Sequence, residues 1–243
     1  MPQSFFIWNG EDCRSKGITL RSAAPIIRAE ERVQHVQIPG RSGDLTETEG
    51  SNIFNSYIHT LSISVRGGFR VREVYRWLRG SGYLTLSGEP DRRQRARVIG
   101  AITLTKISRN LDKWAGEVQI YCQPLKELLN ETPVTVTTSG SAVINAGDVI
   151  CSPLYKVTPS GTSISLTATG DGTPEDNTLA VTGLTSGSAI WIDTETMEIW
   201  NADRSATITQ NSAGEFPVLA PGSNTLTFSG CTSIEIRKRE RFL

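Results

Sequence analysis

The chain has 243 residues, 25 basic and 25 acidic, a formal net charge of zero and 37% apolar residues. That length suffices for one large domain or two ordinary ones, each able to bury a core. No segment reaches the roughly 18 consecutive apolar residues of a membrane helix. The opening MPQSFFIWNGEDC has neither the basic leader nor the apolar run of a signal peptide, so a protein made and kept in the cytoplasm is expected.

Charge divides the chain. Residues 1–130 hold 19 basic and 13 acidic groups, a net of +6, whereas 131–243 hold 6 and 12, a net of −6. Two domains with different surfaces follow. Cys13, Cys122, Cys151 and Cys231 lie far apart and form no CxxC pair. They signal no zinc site and read as buried free thiols.

In chain order, the first distinctive segment lies between His35 and Asn55. It contains IPGRSGDLTETEGSN, with few large apolar groups after Ile38. Such a segment buries little by itself and reads as a loop, or as an arm ordered by a neighbour. Next, Tyr57, His59, Leu61, Ile63 and Val65 alternate with Ser56, Thr60, Ser62 and Ser64, which predicts a strand with Ile58 as the exception. After Gly67-Gly68 the period changes. Val71, Val74, Tyr75 and Leu78 form one stripe of a helix that Gly80-Ser81-Gly82 stops. A strand with Tyr83, Leu84 and Leu86, a Gly88-to-Asp91 turn, and strands Ala96–Leu104 and Gly116–Cys122 follow, the last ending before Pro124. The domain boundary is expected within 128–140, dividing the chain into 1–132 and 133–243.

Beyond it, short apolar segments recur with Gly, Pro and Asn turns and no helix signal. They are Val143–Ile144, Leu154–Val157, Ile164–Thr169, Leu179–Val181, Ile190–Ile192, Glu198–Trp200, Thr225–Phe228 and Ser233–Ile236. This spacing predicts two packed antiparallel sheets.

Chemistry is thinly signalled. Histidine occurs twice, at 35 and 59, and never after the boundary, which disfavours acid–base or zinc chemistry there. His59 lies on the apolar face of its strand and reads as a core residue. GxSxG, HExxH, Walker A and GxGxxG are missing. The acidic loop Gly170–Asn177 lacks the DxDxDG spacing of a calcium loop and reads as a solvated turn. Asp193 and Glu195 would serve glycoside hydrolysis only if they flanked a cleft. Arg70, Arg72, Arg76, Arg79, Arg92, Arg93, Arg95 and Arg97 are unaccompanied by a nucleic-acid-binding motif and read as a solvated or subunit-contact surface. Trp191 and Trp200 are candidates for stacking on sugar rings, although their strands suit a packing role as well.

Several stretches together resemble the distal tail (Dit) family of siphophages. They are FIWNGEDCRSKGITL from Phe6, ERVQHVQIPGRSGDL from Glu31, VREVYRWLRGSGYLTLSGEPDRRQRARVIG from Val71, PLYKVTPSG from Pro153, WIDTETMEIW from Trp191 and GEFPVLAPGSNTLTFSG from Gly214. The resemblance covers nearly the whole chain. It implies a mainly β protein of two β-sandwich-type domains, the first with one α-helix and an extended hairpin arm, the second galectin-like. The arm would carry Pro39, Gly40, Arg41, Ser42, Gly43 and Asp44 to a neighbouring subunit. The family's hexameric rings imply a homohexamer at the virion's tail tip, assembled in the host cytoplasm. It would join the tail tube protein to the tail-associated tip protein, and to receptor-binding proteins, with a lumen for DNA. No enzymatic activity, metal, cofactor or membrane insertion is expected. Neither tryptophan matches the W-G-x-E of galectin sugar sites, so that chemistry need not accompany the fold. The rival expectations are a carbohydrate-binding adhesin using Trp191 and Trp200, and a wall-polymer hydrolase.

Overall fold

The computed structural model describes residues 4–48, 53–108 and 110–243. The chain is mainly β and divides into two compact units, Met1–Leu129 with Leu243, and Asn130–Phe242.

The first unit contains strands β1 (Phe6–Trp8), β2 (Glu11–Asp12), β3 (Ile18–Leu20), β4 (Val33–Gln37), β5 (Asp44–Thr48), β6 (Tyr57–Arg66), β7 (Ser81–Leu86), β8 (Glu89–Lys106) and β9 (Lys113–Leu128), with helix α1 (Gly68–Trp77). Its main sheet is antiparallel in the order β2-β1-β7-β8-β9-β6-β3. The alternation read in β6 is the observed one: His59, Leu61, Ile63 and Val65 are buried and Ile58 is exposed. The stripe of α1 delivers Val74 and Leu78 to the same core as Phe6, Trp8, Leu84, Val118 and Ile120. Tyr75 departs from the stripe. It is 38% exposed, and its hydroxyl accepts from the Leu104 amide at 3.4 Å. Gly80, at φ +72°, turns the chain from the helix into β7.

The β8–β9 ribbon is longer than the sequence suggests, because Pro124, read as ending its strand, sits inside it. Pro124 falls where the register shifts between Gln94 and Ala96, and Gly100, at φ +68°, falls at the shift between Ile99 and Thr103. A proline has no N–H for the ladder, and a bulge removes the need for one. The expected Gly88-to-Asp91 turn is tighter, since Leu86 already faces Glu89.

The second unit packs two antiparallel sheets. One orders β10 (Val134–Val136), β19 (Cys231–Arg237), β12 (Leu154–Pro159), β15 (Ile190–Asp193) and β16 (Glu198–Trp200). The other orders β11 (Ser141–Asn145), β18 (Gly222–Ser229), β13 (Ser163–Gly170), β14 (Thr178–Thr182) and β17 (Ser212–Gly214). Alternate residues of both meet in one core that includes Tyr155, Val157, Leu166, Leu179, Ile192, Leu226 and Ile234, as two facing sheets require. Buried asparagines satisfy the loop backbone. Asn224 accepts from the Ala220 amide at 2.9 Å and donates to the Ala220 carbonyl at 2.8 Å. Asn177 accepts from the Val218 amide and donates to the Val218 and Ala168 carbonyls.

Candidate assembly surfaces

The segment expected to be an arm is a hairpin. In β4 and β5, Val33 faces Thr48, His35 faces Thr46 and Val36 faces Leu45. Six residues, Ile38 to Gly43, form the tip. Arg41 donates its amide to the Ile38 carbonyl at 3.2 Å, and Gly40 and Gly43 take left-handed φ of +82° and +81°. Such a conformation favours glycine at both positions. Pro39, Gly40, Arg41, Ser42 and Gly43 are therefore all in the exposed tip, and Asp44 opens the return strand.

The base of the hairpin is held. Arg32 N donates to Ile53 O at 2.8 Å, Asn55 N to Glu30 O at 2.7 Å, and the Arg32 Nε to Asn55 Oδ1 at 3.1 Å. Beyond the base, β4 and β5 form a separate two-stranded sheet. Isolated two-stranded ribbons are marginal in water. The two faces differ. Strand alternation puts Val33, His35, Thr46 and Thr48 on one side and Gln34, Val36, Leu45 and Glu47 on the other, with Ile38 just beyond β4. Val36, Ile38 and Leu45 are 41%, 38% and 37% exposed. The Val36/Ile38 spacing in VQHVQI was the signal for these apolar side chains; it was hidden by the polar run that follows.

His59 is fully buried, and its Nε2 lies 2.9 Å from the Pro25 carbonyl oxygen. Burial lowers its pKa, so it is neutral near pH 7, and its contact is with the backbone of the segment that leads to the arm. The arginines of the β7–β8 region are largely engaged. Arg92 pairs with Glu89 at 2.9 Å, Arg93 and Arg95 share Glu127, and Arg93 lies over the Tyr83 ring.

In the second unit Trp191 and Trp200 are directly opposed across β15 and β16. The Arg204 guanidinium carbon stands 3.8 Å from the Trp191 ring centroid, and Lys156 Nζ stands 5.2 Å from it. The indole N–H donates to the Ala202 carbonyl at 3.2 Å. A sugar stacking on that face would have to displace Arg204. Trp200 and Arg204 line a shallow cleft of about 330 Å³ with Leu154, Asp193, Thr196 and Glu198.

Asp193 and Glu195 are held by arginines. Arg239 grips Asp193 through two hydrogen bonds of 2.6 and 2.8 Å and reaches Glu195 at 3.3 Å, while Arg241 reaches Glu195 at 3.2 Å. Burial pushes the Asp193 carboxyl up, but the Arg239 guanidinium and the Glu195 and Thr196 amides outweigh it, and the net shift is downward. An ionised carboxylate clamped this way is a poor general acid. Sequence spacing could not show the clamp, because Arg239 lies 46 residues from Asp193. Among the described residues no group of three or more His, Cys, Asp or Glu side chains could hold a metal ion.

No family model matches the chain, and no curated protein matches it. A solved structure does: the Dit protein (gp 19.1) of SPP1, described as a paradigm of the hub adsorption apparatus in phages that infect Gram-positive hosts. The two superpose with a TM-score of 0.79 over 99% of each chain, at 18% identity. The chain has the Dit fold. At that identity the likeness is one of fold, and it spans both units of the chain. The resemblance read from the scattered motifs is thus borne out in three dimensions. Within this Dit fold, the PGRSG sequence is the tip of the free hairpin, and the two tryptophans form a cross-strand pair in the second unit.

Proposed function

We propose that the chain is a non-enzymatic structural hub of a phage tail tip. Residues 1–132 are the ring-forming domain and residues 133–243 are a galectin-like sandwich. Copies close into a hexameric ring through repeated head-to-tail contacts, with the tip residues Pro39 to Asp44 carried to the neighbouring subunit. The ring joins the tail tube protein to the tail-associated protein and to receptor-binding proteins. DNA passes through the lumen without sequence-specific contacts. The protein belongs to the virion and is assembled in the host cytoplasm.

The observation that carries this reading is the β4–β5 hairpin, anchored at its base, separate from the main sheet and bearing the exposed apolar side chains Val36, Ile38 and Leu45. A lone ribbon with such side chains is stabilised by a neighbour, and the full-length Dit fold supplies the context. Light scattering and negative-stain electron microscopy of the purified protein, alone and with both tail partners, should show closed six-fold rings. A protein that stays monomeric under all these conditions overturns the proposal.

A further inference from the structure

At one end of the main sheet, two segments are locked together. The Gly67 amide donates to the Asp112 carbonyl at 2.8 Å, and the Gly68 amide donates to Asp112 Oδ2 at 2.9 Å. Trp114 Nε1 donates to Asp112 Oδ1 at 3.1 Å, and Ile107 N to Lys113 O at 2.9 Å. The start of α1 is thereby fixed against the turn that joins β8 to β9. This clamp displays apolar side chains to solvent. Phe69 is 72% exposed, Leu111 60% and Ile107 51%. Phe69 lies over Gly67, where a Cβ would come within 2.8 Å of its ring.

The same tip is positively charged. Arg66 and Lys113 are directly opposed across β6 and β9, an arrangement that is destabilising unless a negative group intervenes. Among the described residues, no carboxylate lies within salt-bridge distance of Arg66, Arg70, Lys106 or Lys113. Glu73 is the acid nearest in sequence to Arg66 and Arg70, and Asp112, next to Lys113, is committed to the Gly68 and Trp114 bonds, which with Lys106 lower its pKa.

The second unit offers the complement. A cleft of about 470 Å³ is lined by the apolar Pro174, Met197 and Phe216 and by the carboxylates Glu175, Asp176 and Glu215. Among the described residues none of the three carboxylates has a cationic partner. We infer that the Phe69/Leu111 tip of one copy docks into the Glu175/Glu215 cleft of another, its apolar side chains entering the cleft and Arg66 and Lys113 meeting the carboxylates. The charges match within a single sequence, +6 before residue 131 and −6 after it. A tip and a cleft on different units make a heterologous contact, the kind that repeats by rotation. The inference deepens the hub reading and rests on it.

The test reverses charge on one side and then on both, in the full chain. Arg66→Glu with Lys113→Glu should weaken self-association about tenfold or more, measured by sedimentation at low and high salt, and should flatten its salt dependence. Glu175→Arg with Glu215→Arg should do the same. Circular dichroism and melting temperature confirm that each variant folds, and Phe69→Ser tests the apolar part without a change of charge. The chain carrying all four reversals should regain association. Wild-type association in the tip variant overturns the inference, and so does a loss that the cleft reversal fails to restore. A duplex DNA fragment or anionic vesicles bound by the wild type and released by the tip reversal, with self-association unchanged, also overturn it. Six-fold rings that persist in the tip variant would sink this contact and leave the hub standing, whereas absence of rings in the wild type would sink the hub itself.

Discussion

Replacing Val36, Ile38 and Leu45 together by serine should dissolve the assembly and leave the folded subunit intact. Val36 and Leu45 face each other across the hairpin, Ile38 follows at the tip, and Val36, Ile38 and Leu45 are 41%, 38% and 37% exposed. Full burial of such a side chain contributes about 1.5–3 kcal/mol. The two-fifths still open on each therefore hold about 0.6–1.2 kcal/mol, or about 2–3.5 kcal/mol for the three, available to a neighbour. Losing that much weakens each subunit contact by about 30- to 300-fold. Mass photometry across a dilution series would read the shift from ring to subunit. The hairpin is a sheet of its own, so the burial that the three side chains already have within the subunit is lost from the ribbon alone, and chemical denaturation of the main sheet should change little. Rings that survive dilution as the wild type does would refute the reasoning. So would a large loss of subunit stability, because it would mean the three side chains are covered by their own chain.

Two further outcomes concern the second unit. Asn224→Ala strands the Ala220 amide and carbonyl, which the side chain satisfies at 2.9 and 2.8 Å. At about 1–3 kcal/mol for each unsatisfied buried group, urea unfolding should show a loss of about 2–5 kcal/mol, and a loss below about 1 kcal/mol would contradict this. Arg239→Gln should lower stability at neutral pH by removing the clamp on Asp193. The folded Asp193 pKa is depressed below 3.8. Its contribution is therefore present above that value and is lost as pH falls through the lower folded one. The gap between variant and wild type should narrow below about pH 4, and a constant gap from pH 7 to pH 3 would show that Asp193 is not the group concerned.

Where the sequence carries a clear period, it predicts the element well. The alternation in Tyr57–Val65 and the stripe Val71–Leu78 became β6 and α1. The short apolar segments after residue 140 all lie in strands of the two facing sheets. Strands without a period escaped. Ser212–Gly214 has no β-branched or aromatic residue, and its place beside Leu179–Val181 is a tertiary fact. Pro124 reads as a strand end because local preference cannot anticipate a bulge. The site was legible only as a deficit: a polar stretch too poor in apolar groups to fold by itself. That Val36 and Leu45 face each other follows from a register that the tip length sets. The Arg239 clamp and the Phe69/Leu111 tip depend on contacts between distant residues, which no local pattern encodes.

The two irregularities of the β8–β9 ribbon have a joint consequence. Between Gln94 and Ala96 the chain takes two steps on β8 while the partner takes four, from Lys126 to Cys122. Between Ile99 and Thr103 it takes four steps while the partner takes two, from Gln119 to Glu117. The displacements cancel, so the two ends of the ribbon share one frame and only the middle is offset. Each offset is even, so every side chain keeps its side of the sheet. Deleting either insertion alone would move Lys126 away from Glu89, its partner at 2.7 Å, or shift the tip at Ile107–Lys113, without turning one apolar residue outward. The ribbon therefore constrains its own evolution: an insertion on one strand is tolerated in company with its counterpart on the other, and relatives should gain or lose the two together.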